Sequence, residues 1–436
     1  MAGPSLLLAI ESLDSEGRGV ARNEGKVVFV EGALPGETVI AEVFRGGSSF
    51  DQATTLEVLR EGSGRRTPRC PHFSVCGGCA TQHADARTQM AGKQRWLEDS
   101  LQRIGNVRAE TLLPIVYGQE WGYRHRARMT ARYVAQRGGA LLGFHEKKSS
   151  HVVNMGQCET LPERISRLIL PLRTLIGSLD MRERMPQIEI AAGDAVDVLV
   201  FRNLDPVSEA DAAALRAFAE REGVWVWLQP KGPATAAPFH PLTMPTLDYS
   251  LPEFGIRIAF QPTDFTQVNH AVNRILVRRA VRMLDPQPGE RIADLFCGLG
   301  NFSLPIAACG ADVLGIEGAE GLVERARQNA RANGLENRTR FETANLFDVD
   351  TARLEAWGPF DKLLIDPPRD GAADLVKALP QAWPRRIVYV SCDQATLARD
   401  AGMLVHGQGF RLMAAGVVNM FPHTAHVESI ALFERV

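Results

Sequence analysis

The chain has 436 residues, 45% of them hydrophobic and 23% charged, with a formal net charge of −2; that length allows two or three domains, each with its own core. Near-neutrality excludes a wholly basic surface but not a local basic patch. No apolar run reaches the ~18–20 residues of a membrane span, the opening "MAGPSLLLAIESLDSEGRG" lacks the basic segment of a signal peptide, and seven cysteines without an export signal argue for metal or catalytic use over disulfides.

Residues 5–62 contain "SLLLAIESLD", "GKVVFVEG", "ETVIAEVFR" and "ATTLEVLRE". β-branched runs broken by glycines and "LPGE" predict a small β-barrel. "EGSGRRTPRC" follows as a linker, and residues 66–262 mix strands and helices as an α+β domain. "CPHFSVCGGC" spaces Cys70, Cys76 and Cys79 as C-x5-C-x2-C, with Cys158 beyond them in "NMGQCETL". Three close thiols and a distant fourth form a metal pattern that leaves zinc and a [4Fe–4S] cluster both open, since each takes four thiolates. The spacing differs from the C-x3-C-x2-C of radical S-adenosylmethionine enzymes and leaves no iron free of cysteine. In "WGYRHRARMTARY", Arg124, Arg126, Arg128 and Arg132 share one parity, so a strand would put them on one face and Ala127, Met129 and Ala131 on the other. Residues 121–150 hold seven Lys/Arg against one acidic residue. Such a stripe grips phosphates and fixes register without reading sequence.

From 263 to 436, "RIADLF", "DVLGIEG", "RFETANL", "DKLLIDPP" and "RIVYVS" alternate with helical stretches. That predicts a parallel, doubly wound, Rossmann-like sheet. The first strand turns through Gly298 and Gly300, which lets the backbone approach a ligand closely. The turn is one glycine short of the dinucleotide fingerprint, which tells against a nicotinamide. Glu317 ends the next strand, where a carboxylate accepts from a ribose diol. Asn345 follows the third strand within reach of an adenine edge. Asp366 follows the fourth, beside two prolines that stiffen a wall and offer no donor. Cys392 ends the fifth strand just before a helix, whose N-terminus is expected to lower the thiol pKa. Cys297 and Cys309 read as packing residues.

"DLFCGLGNFSLPIA", "DPPRDG", "VYVSCDQATLARD" and "FPHTAHVES", in this order, resemble the bacterial RNA (uracil-5-)-methyltransferases that use S-adenosylmethionine. Adenine N6-methyltransferases also carry D-P-P, but with an aromatic residue where Arg369 stands. The resemblance implies Cys392 as the nucleophile that adds to carbon-6 of uracil, since carbon-5 is nucleophilic only once a thiolate has made it enolate-like. It implies Glu428 as the base that removes the carbon-5 proton. It places Gln267, Phe296, Asn301, Glu317, Asn345 and Asp366 on the positions that hold S-adenosylmethionine. Residues 5–62 resemble a TRAM domain, an oligonucleotide-binding-type barrel, and Cys70, Cys76, Cys79 and Cys158 fall on the pattern that holds a [4Fe–4S] cluster rather than zinc.

Barrel and quartet together point to the members acting on 23S rRNA, on a flipped uridine walled by Phe265 and the D-P-P prolines. A cytoplasmic monomer with no membrane partner is expected. Two readings compete: a tRNA uracil-5-methyltransferase, which usually lacks barrel and quartet, and a non-catalytic RNA-binding protein on the same fold. Gln394 stands where the family commonly has proline, and Ala425 where it has glycine.

Overall fold

The computed structural model describes residues 3–243 and 246–435. Six N-terminal strands form one sheet, in the spatial order Ser5–Ala9, Thr38–Arg45, Phe50–Arg60, Lys26–Glu31, Gly19–Asn23, Ser12–Leu13. Alternate residues point inward, and Leu8, Ile10, Val28, Val30, Val39, Ala41 and Ala53 fill the interior. Glu24 and Gly25 both have positive φ between Gly19–Asn23 and Lys26–Glu31, as a two-residue hairpin turn requires.

A second six-stranded sheet runs Ala237–His240, Trp225–Leu228, Asp197–Arg202, Gln187–Ala192, Arg126–Val134, Gly139–Gly143. Helices Ile169–Ser178 and Glu209–Glu222 pack with it around one apolar core that also takes in Cys76 and Cys158. Ser208 caps the longer helix by accepting from the Asp211 N–H, and Gly223 ends it in the left-handed conformation.

The third sheet has eight strands. Thr339–Thr343, Asp312–Glu317, Arg291–Leu295, Lys362–Ile365 and Arg386–Ser391 run parallel, followed by antiparallel Glu428–Arg435, then Phe410–Val418 and Thr111–Leu112. The first strand of the alternating series, Arg291–Leu295, has its successor on one side and Lys362–Ile365 on the other. This reversal opens a crevice at the carboxyl ends of the strands.

Packing does not follow the linear division at 262/263. Helix Ala86–Arg103 packs on Gln394–His406 and on Phe410–Val418, burying Met90, Leu97 and Leu101 in the C-terminal core. Hairpin Asp248–Leu251/Ile256–Ala259 buries Tyr249, Leu251, Ile256 and Ile258 in the other half of that core. The middle stretch thus joins the third sheet at both of its ends, because each segment carries an apolar face that its own sheet does not cover.

Candidate active site

Strands Arg386–Ser391 and Glu428–Arg435 pair antiparallel, with Ser391 opposite Ser429. Cys392 directly follows Ser391 and Glu428 directly precedes Ser429, so the strand pairing brings a thiol and a carboxyl 36 positions apart in the chain to the same end of the sheet, where both line one cavity. Asp393 caps the next helix by accepting from the Ala395 and Thr396 N–H groups. Gln394 is fully buried, and its Nε2 donates to the Val427 carbonyl at 3.1 Å. A side-chain tether to the base strand thus stands in for the stiffness of a proline.

Burial raises Glu428 well above the usual carboxylate range, and the neighbouring Asp366 charge adds to it. Asp366 itself is raised to about 7 by burial and by Asp294. Cys392 is pushed up from 9.0 to about 12, by burial first and then by Glu428 and Asp366, with Arg369 opposing. The lowered thiol pKa expected from the helix N-terminus is therefore reversed. A helix end contributes roughly 0.3–1 kcal/mol, less than the ~1.4 kcal/mol of one pKa unit, so desolvation and two carboxylates outweigh it. In the free protein, iodoacetamide should modify Cys392 on the order of 10²-fold more slowly than a free thiol at pH 8, the lower thiolate fraction being partly offset by greater nucleophilicity. Mass spectrometry of the peptide bearing Cys392 checks this, and the rate should climb steadily to pH 10.

The positions expected to hold S-adenosylmethionine gather in the same cavity. Phe296 has φ 66°, an uncommon conformation for a bulky residue, and its ring lies 5.5 Å from that of Phe347. The Glu317 carboxylate accepts from the Gly298 N–H at 3.2 Å and the Ala319 N–H at 3.1 Å. Asn301 Oδ1 accepts from Tyr249 Oη and Asn273 Nδ2, both at 2.9 Å, which fixes its carboxamide. Asn345 is exposed at the rim, Gln267 is buried, and Phe265 stands 72% exposed at the mouth. All of these except Asn273 and Ala319 line one cavity of about 970 Å³ together with Asp366, Pro367, Pro368, Cys392 and Glu428.

Tyr249 and Phe347 were not legible as site residues. Phe347 lies inside the "NLFD" segment and was a visible aromatic signal. Tyr249 comes from a distant hairpin, and nothing in its sequence surroundings marks it.

Cys70, Cys76, Cys79 and Cys158 line the same cavity as free thiols. The Gly78 N–H points at Cys76 Sγ at 3.4 Å, and Cys158 Sγ lies 3.3 Å from Thr160 Oγ1. Burial pushes Cys79 up to about 12, with Cys158, Cys76 and Cys70 adding to it. Among the described residues, no three His, Cys, Asp or Glu side chains close on a single metal-ion position. Cys297 is buried in the core, and half-buried Cys309 packs against it.

The arginine stripe has the expected alternation: Ala127, Met129 and Ala131 are buried, while Arg128 and Arg132 are exposed. Arg124 lies just before the strand and lines the cavity, its Nε donating to the Arg126 carbonyl at 3.0 Å. Arg126 turns inward and donates to the Asp264 carbonyl. Arg128 pairs with Glu189 at 2.9 Å from the solvent side. The stripe therefore splits into an inner pair beside the cavity and an outer pair facing solvent.

The sequence model of the family described as tRNA (Uracil-5-)-methyltransferase matches residues 86–436, and that of the TRAM domain matches residues 2–48. The chain belongs to the uracil-5-methyltransferase family. Among the curated uracil-5-methyltransferases, 23S rRNA (uracil(1939)-C(5))-methyltransferase RlmD of Nitrosospira multiformis is 59% identical over 98% of both chains. The protein of the same name from Thiobacillus denitrificans is 60% identical over 98% of this chain and 99% of its own. Among solved structures, Pyrococcus abyssi tRNA (uracil-54, C5)-methyltransferase in complex with S-adenosyl-L-homocysteine superposes with TM-score 0.75. It is 23% identical and covers 98% of this chain and 100% of its own. That match and the TRAM family model together bear out a methyltransferase fold preceded by an N-terminal TRAM domain. Among the described residues, no helix is long and apolar enough to cross a membrane.

Proposed function

We propose that this protein transfers a methyl group from S-adenosylmethionine to carbon-5 of one uridine in 23S rRNA, through a covalent bond between Cys392 and carbon-6. The observation that carries the reading is that Cys392 and Glu428, each adjacent to the paired Ser391 and Ser429, face the cavity that also holds the expected cofactor residues. When bound, S-adenosylmethionine supplies an electrophilic methyl group. Cys392 Sγ, once deprotonated, adds to carbon-6, and the ring electrons move onto carbon-5, which takes the methyl group. Glu428, in its carboxylate form, then accepts the carbon-5 proton, the carbon-5/carbon-6 double bond re-forms, and the thiolate leaves with its electron pair. Desolvation makes the Glu428 carboxylate a stronger proton acceptor than an exposed one.

Architecture alone does not choose the RNA, since a tRNA enzyme shares this fold along nearly the whole chain. The rRNA reading rests instead on relatives 59–60% identical from end to end. Incubation with methyl-labelled S-adenosylmethionine and 23S rRNA or tRNA, followed by mapping of the labelled nucleotide, tests it. Label confined to tRNA, or absent from both, overturns the assignment.

Glu317, Asn301, Asn345, Gln267, Phe296 and Asp366 are assigned to S-adenosylmethionine. Tyr249→Phe removes one of the two donors that fix Asn301 and should weaken cofactor binding roughly 2- to 10-fold, measured by calorimetry. The four cavity-lining thiols fit a [4Fe–4S] cluster, with the Gly78 N–H placed to stabilise a coordinated sulfur. All four line one cavity, and the preference for a cluster over a single zinc rests on the resemblance of their spacing to the family's pattern. The outer arginines are assigned to RNA phosphates: replacing Arg128 and Arg132 by alanine should lower the slope of log K against log salt by about 2 in total. An unchanged slope removes that role.

A further inference from the structure

The turn that delivers Glu428 to the cavity is gripped from outside its own sheet. His423 lies in the left-handed region at φ 66° and is 3% exposed. Its carbonyl accepts from the Ala80 N–H at 2.8 Å and the Thr81 N–H at 3.0 Å, the two residues that directly follow Cys79. Its own N–H donates to Gln89 Oε1 at 2.9 Å, and its Nδ1 lies 3.2 Å from Gln89 Nε2. The ring stacks on Trp121 with centroids 3.9 Å apart. Beside it, the Phe421 carbonyl accepts from Lys93 Nζ at 3.0 Å and the Pro422 carbonyl from Tyr123 Oη at 2.9 Å.

Two features of this grip are costly. A non-glycine residue in the left-handed region is strained and persists only where its surroundings over-determine it. Gln89 and Lys93 are buried on the same face of helix Ala86–Arg103 as Met90, Leu97 and Leu101, where apolar side chains would pack without desolvating an amide or an amine. Lys93 is directed at the Phe421 carbonyl, and Gln89 joins the His423 N–H to the Ala84 carbonyl (2.8 Å) at the start of its own helix, so both bind the turn five or seven residues before Glu428.

We propose that the loop bearing Cys76 and Cys79, together with the buried face of helix Ala86–Arg103, positions the general base, with His423 as the junction. The inference rests on the reading of Glu428 as the proton acceptor. Cys79 is one and two residues from the amides that hold the His423 carbonyl. Fixing the four thiols in one cluster therefore stiffens the grip, and releasing them loosens it. His423, Gln89 and the cysteine loop are positioning elements and need not touch the RNA.

The test uses full-length protein carrying Cys79→Ser, Thr81→Pro (which deletes one of the two donors to His423) or Gln89→Ala, with Glu428→Gln as reference. Each is incubated with 23S rRNA and S-adenosylmethionine and run on a denaturing gel to detect RNA bound covalently to protein. A displaced base stalls the reaction after methyl transfer. Turnover should therefore fall by up to about 10²-fold, the cost of an ångström-scale misplacement, with KM for both substrates nearly unchanged. Covalent adduct should accumulate, and amides 419–428 should exchange hydrogen faster than in the parent. Gln89→Ala favours its helix and keeps the test open if Thr81→Pro does not fold. Wild-type turnover and exchange in all three variants overturn the proposal. So does lost turnover without adduct in the variants when Glu428→Gln does trap one. If Glu428→Gln itself traps nothing, the base assignment fails first and this inference fails with it.

Discussion

Cys392→Ser should abolish methyl transfer, lowering turnover by at least about 10⁴-fold, while S-adenosylmethionine and RNA still bind. Sulfur and oxygen differ little in size, so the cavity and the strand pairing of residues 386–391 with 429–434 stay intact. What changes is the ability of the side chain to exist as an anion and add to a ring carbon. A cysteine already raised to about 12 works only because a thiolate is a strong nucleophile even as a small fraction. A serine hydroxyl, several pKa units higher again, has no comparable reserve. For the same reason kcat/KM of the parent should rise with pH from 6 to 9, approaching tenfold per unit while thiol ionisation limits the rate. A variant that still methylated at the parent rate would sink the covalent mechanism.

Glu428→Gln should produce the second-largest effect, with a different signature. Methyl transfer to the bound uridine proceeds, but no group accepts the carbon-5 proton, so turnover falls by about 10²- to 10⁴-fold and a covalent protein–RNA species builds up. The same variant should alter stability. Burial holds Glu428 above its unfolded-state pKa, so the native state binds a proton that the unfolded chain has released. Stability is then full below the unfolded pKa and is lost as pH rises toward the raised value. Glutamine carries no such proton, so the decline of Tm as pH rises above the unfolded-state pKa should be shallower in the variant. An unchanged pH slope would mean that Glu428 is not buried as a neutral acid.

Much of the site was legible along the chain because its parts sit where strands end. In a parallel sheet every strand presents its carboxyl end to the same edge, so Phe296, Glu317, Asn345, Asp366 and Cys392 were bound to converge once the alternation from 291 onward was read. The arginine alternation in 126–132 was legible for a related reason, since a period of two fixes the face of each side chain. It did not reveal that Arg126 turns inward to the Asp264 carbonyl, because a partner 138 positions away leaves no trace in local periodicity.

Sequence by itself determined the order of the domains, the strand-end positions of the reacting groups and the four-thiol pattern, since these follow from local periodicity and spacing. Only the tertiary structure decided which way the pKa values of Cys392 and Glu428 move, because desolvation and neighbouring carboxylates depend on what folds around them. It alone supplied Tyr249 to Asn301, and it alone joined Ala80, Thr81 and Gln89 to His423. Those contacts link residues more than 50 to more than 300 positions apart, and pairings at such separations are set by how whole cores pack together.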